Sequence, residues 1–322
     1  MRAIRVTALD GPRAVQALEV DDPAPDDEQV LIEVHAAGVT FPDVLLTQGR
    51  YQLKPEPPFT LGGEVAGVVR SAPDGAAVSV GDRVCALTMF GGFADLALAP
   101  AHMVFPIPDD VSFATAAALP INYLTVHFAL THRVQLTEGD VVLVHGAAGG
   151  VGTAAIQFAR AHGATVIAVA STDAKAELAR KAGAQHTVGV DGFRDAVDEL
   201  TSGHGADIVI DPVGGDRFTD SLRSLATDGR LLVLGFVGGE IPTVKVNRLL
   251  LNNTSLIGVV WGQYALARPD YLQQQWRELS PLVASGALAP PIGHEFALAD
   301  AGEAVALMDE RGAVGKVVLT LR

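Results

Sequence analysis

The sequence predicts an α/β protein: a doubly wound parallel sheet with a separate, smaller β domain. Three observations predict it. From about residue 121 to 260, short apolar runs alternate with amphipathic helical ones, as in a parallel sheet wrapped by helices. Within that stretch, VVLVHGAAGGVG (141–152) joins a strand to a helix through a tight glycine turn. Residues 1 to about 120 instead carry short β-prone segments punctuated by Gly62-Gly63, Gly67, Gly81-Asp82 and Gly91-Gly92, a barrel-like pattern.

In chain order, Ala3–Ala8 and Val30–Ala36 read as strands, the second with the apolar–polar alternation of a half-buried one. The strands of the parallel sheet are expected at Val141–His145, Thr165–Ala170, Gln185–Val188, Asp207–Asp211, Leu231–Leu234 and Ser255–Val260. Thr165–Ala170 lacks alternation, as a strand covered on both faces should. Helices are expected near Thr153–His162, Asp173–Ala182, Phe193–Thr201 and Arg217–Leu225, then near Asp270–Gly286 and Asp300–Asp309. A last strand, Lys316–Leu321, closes the chain, and the tail is expected to return to the first domain. No internal repeat or low-complexity tract occurs.

The length of 322 residues fits two domains, each with its own core. The net charge of −14, from 23 basic and 37 acidic residues, argues against general binding of nucleic acid or anionic membranes. The single cysteine, Cys85, forbids an internal disulfide and reads as a small buried residue beside Val84 and Ala86. MRAIRVTALDG lacks the apolar core of a secretion signal. The most apolar long stretch, Phe113–Leu130, holds Pro120, Asn122 and His127 and reads as loop plus helix, not a membrane span. The expectation is a soluble, cytoplasmic protein.

The glycine turn has a physical purpose. Gly149 has no Cβ to keep a diphosphate from the backbone, and Gly152 lets the helix pack closely on the strand. Free amides and the dipole at the helix start hold negative charge, so Ala148, Gly149, Gly150 and Val151 are expected to bind a dinucleotide. An NAD site usually ends its second strand with Asp or Glu on the ribose 2′-OH. Here that strand ends Val169-Ala170-Ser171-Thr172. Ser171, Thr172 and Lys175 can hold a 2′-phosphate, which favours NADPH, although Asp173 has the wrong sign. Thr172 has a second reading as a helix N-cap and Lys175 as a solvated helix residue. The ends of later strands should border the riboses: Val213, then Gly235, Phe236 and Val237.

At this point the residues resemble a family. GVTFPDVLLTQGRYQL (38–53), PPFTLGGEVAGVV (57–69), VGDRV (80–84), HGAAGGVG (145–152), DPVGG (211–215) and GKVVL (315–319) are similar to the zinc-free NADPH:quinone oxidoreductases of the medium-chain dehydrogenase/reductase superfamily. The resemblance covers essentially the whole chain. It implies a GroES-like (chaperonin-10-like) β-barrel catalytic domain, here 1–121 plus 263–322, and a Rossmann dinucleotide-binding domain, here 122–262. It implies an active site in the cleft between them and a homodimer through the last strand of the nucleotide sheet, Ser255–Val260. It also puts Val259 and Trp261 near the carboxamide, with a core or interface role for Trp261 as the equal alternative. Lys316 either reaches the cleft and the cofactor or is a surface lysine.

Departures from the alcohol dehydrogenase branch are equally informative. Thr40, Gly63 and Ile121 stand where that branch has its catalytic zinc ligands, and none replaces a thiolate or imidazole. Glu64 alone makes no zinc site, one cysteine makes no structural zinc lobe, and the nine histidines show no ligand spacing. The expectation is a metal-free enzyme. Alcohol oxidation needs a Lewis acid, so reduction of a conjugated acceptor, a quinone, enone or enoyl thioester, is the easier task. The oxyanion or enolate that develops then needs hydrogen-bond donors and a proton.

The resemblance nominates Tyr51, matching a proton donor of related enoyl thioester reductases, and Tyr123, matching a tyrosine beside the nicotinamide. Anchoring of a loop and packing of a helix end are their duller readings. Thr40, which replaces a common asparagine, and Asn122 are candidate substrate contacts, and Thr125 a candidate cofactor contact. Asp43 and Glu64 are expected to hold backbone amides. Leu45 stands where some bacterial members carry a further tyrosine. Three functions follow: an NADPH-dependent reductase of quinones or other α,β-unsaturated carbonyls, an enoyl thioester reductase, or a nucleotide-binding structural or regulatory protein without turnover. The second would need a basic entry path, for which Arg50, Lys54, Arg248 and Arg268 are available.

Overall fold

A computed structural model describes residues 1–322, which divide into two compact units. One comprises Met1–Asn122, Arg268–Ala284 and Ala289–Arg322; the other comprises Tyr123–Ala267 and Ser285–Leu288.

The second unit is built on a six-stranded sheet, every pairing parallel. Its order is His186–Val188, Thr165–Val169, Val141–Val144, Ala206–Asp211, Leu225–Val233, Ser255–Gly258. The chain starts in the middle, winds to one edge and then to the other, which makes the sheet doubly wound. Val142, Leu143 and Val144 are fully buried, as are Val166 and Ala168, because helices cover both faces. The helix after the glycine turn runs Gly150–Ala161, a turn earlier than periodicity suggests, since Gly149 adopts an extended conformation and serves as its N-cap. A larger difference is the strand Leu225–Val233, which begins at the residue expected to end a helix and six residues before the strand expected at Leu231. Leu225 pairs with Ala206, and Asp228, at φ 62°, opens a register shift before Arg230 pairs with Ile208. The preceding helix therefore stops at Arg223.

The first unit is mostly antiparallel. Its seven-stranded sheet contains the long strand Gln29–Val39, which pairs with Glu64–Ser71, Leu96–Pro100 and the C-terminal strand Lys316–Thr320. Arg2–Val6, Gln16–Glu19 and Phe59–Thr60 form a smaller sheet. The tail, Ala289–Arg322, belongs to this unit. Lys316–Thr320 lies parallel to Ile292–Ala297, with the helix Ala301–Asp309 between them in sequence. Val30, Ile32, Val34, Val65, Phe93, Val317 and Leu319 form much of its core. Gly67 is required where two strands press together, since a Cβ there would sit 1.9 Å from the Glu33 carbonyl oxygen. The helix Pro269–Ala284 packs Trp276 on Phe105, ring centroids 5.0 Å apart, and its indole N–H donates to the Pro106 carbonyl at 3.1 Å. Phe113–Leu130 is helical in pieces, and no helix of the chain is long and apolar enough to cross a membrane.

Candidate functional site

The nucleotide-type turn leaves the sheet at His145, and Gly146 reverses the backbone at φ +59°. A Cβ on Gly152 would fall 2.2 Å from the Gly146 carbonyl oxygen and 2.7 Å from the Ala147 Cα, so only glycine fits. Gly149 is the opposite case: it is exposed, and a Cβ there would meet only the Gly146 oxygen, at 3.3 Å. Thr153 locks the first turn, its hydroxyl donating to the Gly149 carbonyl at 3.0 Å. The amides of Gly150 and Val151 fall in the first turn, where no helical carbonyl precedes them. This is a cradle with room over its backbone donors.

Below the turn lies a buried polar layer that sequence reasoning missed. His145 Nε2 and the Ser221 hydroxyl are 2.8 Å apart, and the imidazole stands edge-on to Phe193. Burial, helped by the positive charge of Arg217, lowers the His145 pKa to about 3, so the ring is neutral at pH 7. Asp211 is fully buried at the end of the neighbouring strand, and Oδ1 accepts from the amides of Val213 (2.8 Å) and Gly214 (2.9 Å). Burial raises its pKa, against the pull of those amides and of Arg217. The Asp turn brings Val213 to the segment 235–238. Val237 donates its amide to the Pro212 carbonyl, and Gly238 donates to that of Val213. The expected ribose-bordering residues Val213, Gly235, Phe236 and Val237 thus share one strand-end cluster. Val259 is buried, its amide donating to the Val233 carbonyl at 2.9 Å, and Trp261 begins a short helix, 8% exposed.

Past the next strand end lies a pocket of about 610 Å³ lined by Ala170, Ser171, Thr172, Asp173, Ala176, Arg180, Thr187–Asp191 and Arg217. Ser171 and Thr172 line it, and Thr172 also caps its helix, accepting from the Lys175 amide at 3.3 Å. Lys175 does not line the pocket; Arg180 and Arg217 supply its positive charge instead. One signal for Arg217 was available: it follows DPVGG at a strand end, and a long side chain there can reach across one strand of the sheet.

In the β-rich unit a second buried polar group forms. Thr40 caps the helix Phe41–Thr47, and its amide and hydroxyl both donate to Asp43 Oδ2 at 2.7 Å. Asp43 is nearly inaccessible. Burial raises its pKa to about 6, against the Thr40 hydrogen bonds and the charge of Lys316. Glu64 accepts the Ile121 amide at 2.8 Å and is ion-paired with Lys316. Asp43 and Glu64 therefore hold backbone amides, as expected. Lys316 is not a surface residue: it is 4% exposed, and its ammonium is engaged by Glu64. A Cβ on Gly63 would lie 3.4 Å from the Ile121 side chain, so two of the three positions lacking zinc ligands are adjacent. No three His, Cys, Asp or Glu side chains of the structure gather to hold a metal ion.

Tyr51 is half-buried and packs on the apolar core, with its pKa raised by burial and by Asp43. The Tyr123 ring, expected beside the nicotinamide or packing a helix end, is fully buried, and its hydroxyl donates to Gln157 Oε1 at 2.6 Å. It sits on the helix Pro120–His127 with buried Asn122 and partly buried Thr125. Arg50, Lys54 and Arg268 are exposed and Arg248 is partly buried.

Comparison with known proteins adds the following. Residues 26–109 match the model of the alcohol dehydrogenase GroES-like domain, and 150–285 match that of the zinc-binding dehydrogenases. The quinone oxidoreductase-like protein 2 of Bos taurus is 39% identical over 298 residues, covering 91% of this chain and 85% of that protein. A probable oxidoreductase from Mycobacterium abscessus superposes with a TM-score of 0.91 at 44% identity, covering 99% and 98% of the two chains. The Escherichia coli quinone oxidoreductase, solved in complex with NADPH, gives 0.90 at 28% identity, covering 99% of this chain and 100% of that one.

Proposed function

The chain belongs to the quinone oxidoreductase-like family of the medium-chain dehydrogenase/reductase superfamily, with a Rossmann-like sheet and a GroES-like domain; from that premise we propose an NADPH-dependent reductase of quinones and other α,β-unsaturated carbonyls. The observation that carries the reading is the cradle at Gly149–Val151, open above its amides and closed below by Gly152. Its geometry fits a diphosphate. Ser171, Thr172 and Lys175 would meet the adenosine end, and Val213 with Gly235–Val237 the riboses. Val259 and Trp261 would meet the carboxamide, with Thr125 a further contact. When bound, NADPH supplies the hydride. The Lys316 ammonium is already engaged by Glu64.

A catalytic zinc does not fit these residues. Thr40 spends its hydroxyl proton on Asp43, Gly63 has no side chain, and Ile121 offers only a backbone amide, already donated to Glu64. The chain's own groups must therefore serve an acceptor that is electron-poor by itself. Tyr51 keeps its proton at neutral pH, because burial and Asp43 both favour the phenol, and it can give that proton to an enolate. Thr40 and Asn122 line up as substrate contacts by sequence, with Thr40 an acceptor rather than a donor. The Tyr123 hydroxyl is held by Gln157 and serves packing better than proton transfer.

The test is NADPH oxidation with benzoquinone, phenanthrenequinone, a 2-alkenal and crotonyl-CoA. Quinone turnover is expected. Turnover confined to the thioester would replace this reading with an enoyl thioester reductase, and none at all would leave a nucleotide-binding protein. The Tyr51→Phe enzyme should lose enal and thioester reduction about 100-fold while keeping most quinone reduction, which needs little acid help.

A homodimer through Ser255–Gly258 is part of the proposal. That strand is an edge of the sheet, and nearby Val246, Leu250 and Leu251 are each at least 75% exposed. Light scattering at the mass of two chains is expected. A monomer whose mass is unchanged by Leu250→Asp would contradict it.

A further inference from the structure

Arg217 lines the pocket beyond Ser171 and Thr172, and its side chain carries a donor without a partner. Arg217 Nε is buried and makes no hydrogen bond, and the nearest carboxylate oxygen, on Asp216, is 3.9 Å away on a 95% exposed side chain. A buried cationic N–H left unpaired is costly, and such groups are rare unless a ligand or ion completes them. Arg217 also acts on the groups around it. Its charge favours neutral His145 and ionised Asp211, which places the guanidinium by the carboxyl ends of two central strands. It shares its pocket with Ala170–Thr172, from the end of a third strand. Ligands of an open parallel sheet bind in that zone.

The other charges of the pocket narrow the ligand. Arg180, Asp173 and Asp191 are exposed to water, where their fields are screened. Arg217 alone combines positive charge with a buried, unsatisfied donor. No carboxylate stands at Ala170 to accept from a ribose 2′-OH. Ser171 and Thr172 add hydroxyls to the lining of the same pocket. A planar fork sharing a pocket with hydroxyls suits a phosphate monoester, whose oxygens accept two parallel N–H bonds.

We propose that Arg217 binds the 2′-phosphate of the cofactor's adenosine and is the main determinant of NADPH over NADH, with Lys175 secondary. This deepens the dinucleotide reading and rests on it. The test is calorimetric binding to the full-length protein of 2′,5′-ADP and 5′-AMP, which differ only in the 2′-phosphate, together with NADPH and NADH.

Arg217→Met should weaken NADPH and 2′,5′-ADP about 10- to 100-fold while changing NADH and 5′-AMP about two-fold or less. Arg217→Lys keeps the charge without the fork and should fall between, about three- to ten-fold, so the proposal stays open to refutation if the Met variant does not fold. Lys175→Met should lose less than Arg217→Met. An unchanged ratio of 2′,5′-ADP to 5′-AMP affinity in both Arg217 variants overturns the proposal. So does an equal loss for both ligands, which would mean stacking on adenine or a packing role. Failure of the dinucleotide reading looks different: the unmodified protein would bind none of the four ligands.

Discussion

The two units differ in how they bury polar groups. In the nucleotide-binding unit the buried ionisable groups beneath the cradle are pushed towards neutrality. His145 is held neutral by burial, and Asp211 is raised and steadied by backbone amides. The surface they support is built from backbone, with glycines and amides consecutive in the chain. In the β-rich unit a charged pair is kept inside: Glu64 and Lys316, 252 positions apart, with Asp43 and Thr40 beside the helix start. A backbone site follows from a dozen neighbouring residues. A side-chain site exists only after distant strands have met.

The largest effect expected from this contrast is at Lys316. Lys316→Met leaves the Glu64 carboxylate buried without its cation, and losses of this kind run about 3–5 kcal/mol. The double variant Glu64→Gln/Lys316→Met should recover more than half of that, as read from urea midpoints. A single-variant cost under about 1 kcal/mol would show that the pair does not hold the unit together.

Gly152→Ala comes next. A methyl group 2.2 Å from the Gly146 oxygen must push the helix off the strand, costing about 1–3 kcal/mol and removing nucleotide binding. Unfolding curves and NADPH titration check the two halves separately. Retained binding would mean that the close approach is not needed by the cradle.

The folded-state pKa of His145 is about 3, below the unfolded value of 6.5, so the unfolded chain takes the extra proton between those values. Stability is therefore lost as pH falls from 6.5 towards 3, about 2 kcal/mol of it between pH 7 and 5. Asp43 acts the other way. Its folded pKa of about 6 exceeds the unfolded value, so the folded state takes the proton and gains stability as pH falls from about 6 to 4. Denaturation of His145→Asn across this range should show a shallower acid loss than the unmodified protein. An unchanged slope would remove His145 from the account.

The smallest effect is at Tyr123. Tyr123→Phe breaks the bond to Gln157 and should cost about 1 kcal/mol, with the NADPH oxidation rate within about two-fold. A hundred-fold rate loss would put the hydroxyl into the chemistry.

The fold was largely legible in the sequence because its signals are periodic. The alternation after residue 121 and the Gly149–Gly152 spacing depend on nearest neighbours in the chain, and the structure has a parallel sheet there. The strand from Leu225 was missed because its first residues pair through a register shift, which no period of two can reveal. The glycine turn was legible because backbone makes it. Arg217 escaped because it shares a pocket with Ser171 and Thr172 only once separate strand ends are adjacent. Lys316 read as a surface residue because charge at a chain end is usually solvated, and its partner Glu64 lies in a distant segment.

The central claim is tested most directly by initial rates of phenanthrenequinone reduction with NADPH and with NADH, before and after exhaustive chelation and dialysis. The account predicts turnover that prefers NADPH and survives chelation undiminished. Turnover that prefers NADH, or that disappears on chelation and returns with added zinc, would contradict it.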